Sequence, residues 1–281
     1  MIIIETILLF HDMIRQDEKL LIRELSNAGA RYELINTGDH LELPGEPRRG
    51  LAFPRTISQR RTQLVAQINE ALGNQSINSL VSIIMGNNKA ATMAALSRLG
   101  LPIPRSIVIN AGADVDEVAE KLGFPIIVKP IQGSWGRMVG LANGVQDLAM
   151  LARHGSASSG SIVAQEFIDK PGRDIRITVV GGEAVAAIYR YSPGDDWRTN
   201  TARGGRAEAA KLSPELEDIG VKSAEAIKAS YAGVDVVESR DGYKVLEVNV
   251  VPEFKNVMRV TGVNVARRIV DLLMLAARRG A

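Results

Sequence analysis

Residues 233–250 have the sequence Gly-Val-Asp-Val-Val-Glu-Ser-Arg-Asp-Gly-Tyr-Lys-Val-Leu-Glu-Val-Asn-Val. Two apolar runs flank Asp241-Gly242, a dipeptide typical of the tight turn between antiparallel strands. Alternate residues of a strand share a face, so Glu247 and Asn249 lie on the same side of the second strand. Asp235 lies within one residue of their level on the first strand. The stretch predicts a β-hairpin that carries a cluster of oxygen-bearing side chains on one face.

This cluster has the chemistry of a magnesium site. Its acids interrupt apolar strands, where an ionised carboxylate is costly to bury without a cation. Two carboxylates and one amide are oxygen ligands of the kind that Mg²⁺ accepts when phosphates complete its octahedron. We predict that Asp235, Glu247 and Asn249 bind the metal. The alternative is a polar strand edge that faces solvent.

The signals outside this hairpin predict an α/β chain with mixed α+β lobes. In the first third, short apolar strands alternate with amphipathic helices, which is typical of a small parallel sheet with helices on its faces. Gly181-Gly182 predicts a second hairpin. The small-residue stretch 156–161 is interpreted as a flexible loop. We divide the chain into three units, 1–86, 87–168 and 169–281.

The composition excludes several functional classes. The chain has 281 residues, and its 34 Lys+Arg against 32 Asp+Glu give a net charge of +2, unlike a typical nucleic-acid-binding protein. It has no cysteine, which excludes disulfides and thiol catalysis and leaves oxygen or histidine ligands for a metal. No apolar run approaches the roughly 18 residues of a membrane span. We expect a cytoplasmic protein with neither a nucleic-acid nor a membrane partner.

A glycine-rich segment predicts a phosphate-binding loop. Gly-Ser-Trp-Gly-Arg at 133–137 joins two predicted strands, and it is not a Walker loop because no Gly-Lys-Ser/Thr is present. Glycines let backbone N–H groups surround phosphate oxygens. Lys129 adds a positive charge at the end of the preceding strand. An ordinary glycine hairpin beside a surface lysine is the alternative.

Arginines form a second basic cluster. Arg173 and Arg176 belong to the segment 170–176, in which the predicted strand begins at Asp174, and Arg203 precedes Gly204-Gly205 in a basic loop. Guanidinium groups match carboxylates and phosphates through paired hydrogen bonds. These residues are therefore candidates for binding anionic substrates, with a solvated loop as the alternative.

Taken together and in this order, the motifs resemble those of the RimK-like ATP-grasp ligases, and more narrowly the LysX and ArgX enzymes. Those enzymes join an amino acid to the C-terminal glutamate of the small acidic carrier LysW. The motifs are Met-Gly-Asn-Asn-Lys (85–89), Val-Lys-Pro (128–130), Gln-Gly-Ser-Trp-Gly-Arg (132–137), Gln-Glu-Phe-Ile (165–168), Gly-Arg-Asp-Ile-Arg (172–176), Asn-Thr-Ala-Arg-Gly-Gly (200–205), Gly-Val-Asp (233–235) and Glu-Val-Asn (247–249). One departure is Asn88, where relatives often carry Asp.

The resemblance implies an ATP-grasp fold that uses ATP and Mg²⁺. Unit 1–86 would be the pre-ATP-grasp domain, 87–168 the central subdomain with a lid over the phosphates, and 169–281 the subdomain with the metal and substrate sites. An acyl phosphate would form on the LysW carboxylate, and the amine of the free amino acid would then attack it. We also expect a homo-oligomer.

The resemblance also implies roles for individual residues. The residues assigned to catalysis are Arg176, Lys129 and Arg203. Those assigned to the nucleotide are Lys89, Lys129, Gly133, Ser134, Trp135, Gly136, Arg137, Gln165, Glu166, Phe167, Ile168, Arg173, Asp174, Arg190 and Asn200. Those assigned to the substrate are Arg203, Gly204, Gly205, Asn256 and Val257. The metal ligands are the three already derived from the hairpin.

The choice of amino acid depends on the pair that follows Glu-Phe-Lys. In the family, ArgX resembles Gly-Phe there, whereas LysX resembles Asn followed by a smaller residue. Asn256-Val257 therefore favours α-aminoadipate, with glutamate or the use of both as alternatives. More remote readings are a RimK-like glutamate ligase with another acceptor and a nucleotide-binding module without turnover, against which the intact metal set argues. A dinucleotide-binding protein lacks support because no Gly-x-Gly-x-x-Gly follows the first strand.

Overall fold

The computed structural model describes residues 5–38, 48–133, 138–192 and 206–279. Its first part is a three-stranded parallel sheet of order β2-β1-β3. The elements are β1 (Ile7–His11), α1 (Gln16–Asn27), β2 (Tyr32–Asn36), β3 (Leu51–Pro54) and α2 (Gln59–Ala71). Strand β1 is apolar throughout because both of its faces are buried, as is usual in a parallel sheet.

Two short helices connect this sheet to the next one. They are α3 (Leu80–Gly86), which the sequence patterns did not predict, and α4 (Lys89–Arg98). Side-chain caps begin both helices, since Ser79 accepts a hydrogen bond from the N–H of Ser82 and Asn88 accepts one from Ala91. Asn88 therefore has a structural role at the start of α4, immediately before Lys89.

The second sheet has four antiparallel strands in the order β4-β7-β5-β6. Its elements are β4 (Ser106–Asn110), α5 (Asp116–Leu122), β5 (Ile126–Pro130), β6 (Gly140–Ala142), α6 (Val145–Ser159) and β7 (Ser161–Glu166). The loop expected at 156–161 is wrong, because α6 continues to Ser159 and β7 begins at Ser161. Ser and Ala are tolerated in a helix, and Gly160 ends α6 in the left-handed conformation with φ 74°.

The third sheet has five antiparallel strands in the order β10-β9-β8-β11-β12. Its elements are β8 (Arg173–Val180), β9 (Glu183–Tyr191), β10 (Ala207–Ala210), α7 (Pro214–Ala226), β11 (Tyr231–Ser239), β12 (Gly242–Asn249), α8 (Lys255–Thr261) and α9 (Val265–Arg279). One face packs against α7 and α4, and α9 packs against the N-terminal sheet. The sequence patterns predict a closing helix at 263–278, which corresponds to α9, but they do not predict α8.

Both predicted hairpins are confirmed. Strands β8 and β9 pair across Gly181-Gly182, whose residues both have positive φ. Strands β11 and β12 pair so that Asp235 lies directly opposite Glu247 and Gly233 opposite Asn249. A bulge follows Asp235. Across the described ranges, no helix is long and apolar enough to cross a membrane.

Candidate functional site

One cleft, about 270 Å³ in volume, is lined by residues of the second and third sheets and by loop and helix residues of the N-terminal part. Every described residue that the sequence assigned to a site lines it, except Arg173. These residues are Lys89, Lys129, Gly133, Gln165, Glu166, Phe167, Ile168, Asp174, Arg176, Arg190, Asp235, Glu247, Asn249, Asn256 and Val257. The fold therefore brings into one cleft residues that are up to 168 positions apart in the chain.

The polar face of the five-stranded sheet forms one wall of this cleft. We call Asp174, Arg176, Arg190, Asp235 and Glu247 the sheet floor. Strand register places them together, because Asp174 pairs with Arg190, Arg176 with Asp235, and Asp235 with Glu247. Residues that are directly opposite in antiparallel strands share a face. The floor is thus a row of charges of both signs across four strands, and it ends in the two neighbouring carboxylates of Asp235 and Glu247.

Two arginines hold Asp235 within the floor. Arg176 donates to both of its oxygens, with a distance of 2.8 Å from Nη2 to Oδ2. Arg190 donates to Asp174 from Nε and Nη2 at 2.7 Å each, and its Nη2 is 2.9 Å from Oδ2 of Asp235. Burial opposes ionisation of Asp235, yet Arg176 and Arg190 hold the pKa of this carboxyl below its ordinary value. Asp235 is therefore charged and paired, so its burial does not by itself require a metal.

Glu247 and Asn249 differ from Asp235. Among the described residues, neither side chain has a hydrogen-bond or ion-pair partner, and both are only partly buried in the cleft wall. No group of three His, Asp or Glu side chains in the described ranges is arranged to hold a metal by itself. The set offers two carboxylates and one amide, and Oδ1 of Asp235 accepts only one described hydrogen bond. These oxygens fit Mg²⁺ when phosphate oxygens supply further ligands.

Two lysines of the cleft, Lys89 and Lys129, are held by neutral oxygens. Lys129 Nζ donates to Gln165 Oε1 at 2.6 Å, and Gln165 in turn donates to Ser106 Oγ at 2.9 Å. Lys129 is only partly shielded as a whole residue, but desolvation of its ammonium lowers its pKa to about 8. The nearby charge of Glu247 acts in the opposite direction. Gln165 therefore orients a lysine with its side chain.

Gly133, where the glycine-rich loop begins, is held from two sides. Lys89 Nζ donates to its carbonyl oxygen at 2.7 Å, and its N–H donates to Gln59 Oε1 at 3.0 Å. Its φ of 138° favours glycine. The sequence gave Gln59 no role, because only the packing of α2 against the cleft brings it to this loop.

The end of β7 and the residues that follow it form another wall of the cleft. The carboxylate of Glu166 is already bound, since it accepts hydrogen bonds from Arg105 at 3.0 and 2.8 Å and from Lys244 at 3.0 Å. The N–H of Phe167 donates to Pro125 O at 3.2 Å. Within the described ranges, the backbone of Ile168 has no hydrogen-bond partner, so it remains open to a ligand.

Two predicted site residues are placed differently from the expectation. Arg173 lies outside the cleft, where it forms an ion pair with Glu238 at 2.8 Å and stacks over the ring of Tyr189. The reason is strand parity: Asp174 and Arg176 face the cleft, so Arg173 faces away. Val257 lines the cleft with a small part of its surface, because it is only 1% exposed and packs in the core.

Several assigned residues lie outside the described part of the chain. They are Ser134, Trp135, Gly136, Arg137, Asn200, Arg203, Gly204 and Gly205.

Comparison with family models and known sequences matches almost the whole chain. A model of the RimK-like ATP-grasp domain matches residues 86–273, and a model of the LysX preATP-grasp domain matches residues 7–84. The α-aminoadipate–LysW ligase LysX of Saccharolobus solfataricus is 34% identical over 268 residues, which cover 92% of this chain and 97% of that protein. The glutamate–LysW ligase ArgX of Sulfurisphaera tokodaii is 33% identical over 275 residues, which cover 95% and 97%.

Solved structures with the same fold include enzymes whose names state other activities. D-cycloserine synthetase DcsG matches with a TM-score of 0.81 and 16% identity, covering 97% of this chain and 99% of that one. The D-alanine–D-alanine ligase of Bacillus anthracis with ATP matches with a TM-score of 0.76 and 18% identity, covering 98% and 99%. These likenesses concern the fold, and they confirm the predicted ATP-grasp architecture with its α/β N-terminal part. The chain belongs to the RimK-like ATP-grasp ligase family, whose members use ATP.

Proposed function

We propose that this chain is an ATP-dependent ligase that joins α-aminoadipate to the C-terminal glutamate of the carrier protein LysW. The observation that carries the proposal is the composition of the cleft. Lys89, Lys129 and Arg176 line it together with Glu247 and Asn249, whose side-chain oxygens have no partner among the described residues. The family membership and the printed activities of the relatives support the same reaction. Residues 1–86, 87–168 and 169–281 would act as the pre-ATP-grasp, central and C-terminal units.

The charges of the cleft suit a reaction between two anions. ATP and a carboxylate repel one another, and Lys89, Lys129 and Arg176 would reduce that repulsion by lying beside the phosphates. Asp235, Glu247 and Asn249 would hold Mg²⁺, which when bound neutralises charge on the transferred phosphoryl group. Arg190 keeps Asp235 ionised and oriented for this role.

The order of chemical events follows from the groups present. Transfer of the γ-phosphoryl group to a LysW carboxylate oxygen forms an acyl phosphate and ADP. The amine of the amino acid attacks the acyl carbon, phosphate leaves, and the amine proton is lost. Water would hydrolyse the acyl phosphate, so the loop that begins at Gly133 would cover it. Arg203, Gly204 and Gly205 are proposed to contact the acceptor or amino acid.

Asn256 supports α-aminoadipate over glutamate. It lines the cleft at the second position of α8, and it does not cap that helix, whose N-cap is Phe254. Within the described ranges its amide has no hydrogen-bond partner, so it is available for a distal carboxylate. One methylene is worth only about 1–3 kcal/mol in a pocket, so glutamate is the second candidate.

The test is ADP formation that depends on both substrates. Purified protein with Mg-ATP is expected to release ADP rapidly only when LysW and α-aminoadipate are both present. LysW that ends in Gln instead of Glu tests whether the side-chain carboxylate is the acceptor, and a mixture without LysW is the control for the carrier and should release ADP only at the background rate. ADP release that is equal with and without LysW would refute LysW as the acceptor and favour another acceptor. A Citrobacter koseri relative named a probable α-L-glutamate ligase, 34% identical over 204 residues, makes that second function concrete.

A further inference from the structure

Arg15, to which the sequence gave no role, lines the cleft from the N-terminal part of the chain. Its Nε and Nη2 donate to the carboxylate of Glu18 at 3.1 and 3.2 Å. Its Nη1 donates to Glu253 Oε1 at 2.8 Å, although the two residues are 238 positions apart. A guanidinium has five N–H donors. Two of them therefore have no partner among the described residues.

The guanidinium of Arg15 is held from behind by fully buried charges. Glu18 is 0% exposed and also accepts hydrogen bonds from Nε and Nη2 of Arg55, which is 1% exposed. Burial opposes ionisation of Glu18, but Arg55 and Arg15 keep its pKa below the ordinary value. A buried ion pair is a poor source of stability compared with apolar packing. What this pair does provide is a fixed orientation for the Arg15 side chain.

The backbone on both sides of Glu253 is also fixed. Pro252 O accepts hydrogen bonds from Arg55 Nη1 at 3.0 Å and from Tyr231 OH at 2.9 Å. Asp17 Oδ1 accepts hydrogen bonds from the N–H groups of Phe254 and Lys255 at 2.6 and 3.0 Å. The Glu253 side chain itself is 37% exposed and lines the cleft. We call Arg15, Glu18, Arg55 and Glu253 the junction.

We propose that Arg15 and Glu253 bind the head group of the incoming amino-acid substrate, Arg15 its α-carboxylate and Glu253 its α-ammonium, which loses one proton to solvent before the free amine attacks the acyl phosphate. This rests on the proposed function. An α-amino acid carries both charges on one carbon, so it can insert between an oppositely charged pair and replace one ion pair with two. Arg15 has unused donors for the carboxylate, and the rigid support behind it lowers the entropy cost of binding.

The same geometry separates recognition of the head group from recognition of the tail. Asn256 lies three residues after Glu253 on the same cleft wall, at the start of α8. Glutamate and α-aminoadipate share a head group and differ only in chain length. The junction would therefore accept both amino acids, and selection between them would fall to Asn256 and its surroundings.

The first test compares two amines that differ only in the α-carboxylate, namely α-aminoadipate and 5-aminopentanoate. The unmodified enzyme should prefer α-aminoadipate by about 100-fold or more in kcat/KM, as expected when a site that binds a carboxylate is left without it. Arg15→Gln should reduce that preference by about tenfold or more, mainly through a higher KM for α-aminoadipate. The KM for ATP should change by less than about twofold.

A second variant addresses the other half of the pair. Glu253→Gln keeps an acceptor for the hydrogen bond from Arg15 but removes the negative charge. We expect a KM for α-aminoadipate about tenfold higher, with partial rescue in Glu253→Asp. Arg23→Gln is the matched control, because Arg23 lies on α1, is 60% exposed and pairs only with its neighbour Glu24 in the described part of the chain. It should leave every constant unchanged.

A purely structural junction predicts a different pattern. Arg15→Gln would then lower thermal stability and kcat for both amines equally, and an unchanged preference would overturn the inference. Arg15→Lys replaces the variant if Arg15→Gln does not fold, and it should lose part of the preference.

Calorimetric binding of α-aminoadipate with a non-hydrolysable ATP analogue needs no acceptor. If LysW is the wrong acceptor, α-aminoadipate should still bind more weakly to Arg15→Gln than to the unmodified enzyme. Equal binding by the two proteins would refute the role of Arg15 and leave the proposed function untouched.

Discussion

The sheet floor and the junction are both charged walls of one cleft, but they are constructed in different ways. On the floor, Asp235 is buried and paired with Arg176 and Arg190, whereas Glu247 and the neighbouring Asn249 reach the cleft and have no partner among the described residues. In the junction, Glu18 and Arg55 are fully buried, and only Arg15 and Glu253 reach the cleft. The floor thus offers the carboxylate of Glu247, which a ligand can recruit directly. In the junction, the buried charges of Glu18 and Arg55 fix the positions of Arg15 and Glu253, which reach the cleft.

This difference predicts that floor variants affect turnover, whereas variants of the buried junction affect stability as well. Glu247→Gln should leave the fold intact and lower kcat by about 100- to 10,000-fold, because charge on the phosphoryl group loses its compensation. Steady-state kinetics at saturating Mg²⁺ measure this loss of turnover. Glu238→Gln is the control on the adjacent strand, since Glu238 pairs with Arg173 outside the cleft. Near-normal turnover by Glu247→Gln would remove this residue from the metal set.

Arg55→Met should instead destabilise the folded protein. It leaves the buried carboxylate of Glu18 and the carbonyl of Pro252 without this partner, a change that typically costs about 3–5 kcal/mol. Urea unfolding with and without the substitution measures the loss. Arg240→Met, at an 88% exposed side chain, should change stability by less than about 0.5 kcal/mol. Equal effects of the two substitutions would mean that the buried pair is not a support.

Lys129, which lines the cleft from β5, provides a test of the cleft through pH. Its pKa is about 8 in the folded protein against 10.5 as the reference, so the folded state binds fewer protons between those values. Its contribution to stability therefore becomes more favourable as pH rises through that window. Phosphates would raise this pKa again, so nucleotide binding at pH 8 should take up about half a proton and weaken above pH 8.

Calorimetry in two buffers of different ionisation enthalpy measures that proton uptake. The uptake should disappear in Lys129→Met and persist in Lys121→Met, where the replaced lysine is exposed on α5. A binding enthalpy that is independent of the buffer for the unmodified protein would contradict placement of Lys129 beside the phosphates.

The smallest expected effect concerns the anchor of the glycine-rich loop. Gln59→Ala removes one neutral hydrogen bond to Gly133, which is worth about 0.5–1.5 kcal/mol. The KM for ATP should rise about threefold while the KM for the amino acid stays constant. Gln67→Ala, at an exposed position of the same helix, is the control. A change in the KM for the amino acid alone would instead indicate that Gln59 contributes to amino-acid binding, as proposed for the junction.

The floor was largely predictable from the sequence, whereas the junction was not. The Asp241-Gly242 turn fixes the register of its two strands, so the proximity of Asp235 and Glu247 followed from local rules. Arg173 was misplaced because its parity on the strand was not applied, although that rule was available from Asp174 and Arg176. No local pattern predicts that Arg15 meets Glu253, because that contact depends on how α1 packs against the C-terminal part of the chain.

The most direct test of the central claim is a competition for one pool of LysW. Equal concentrations of α-aminoadipate and glutamate are incubated with the protein, ATP and Mg²⁺, and intact mass separates the two products. We expect LysW to gain one amino-acid residue in an ATP-dependent manner, with the α-aminoadipate product in excess. An excess of the glutamate product would reverse the assignment of the amino acid. No mass gain with either amino acid would contradict LysW ligation itself.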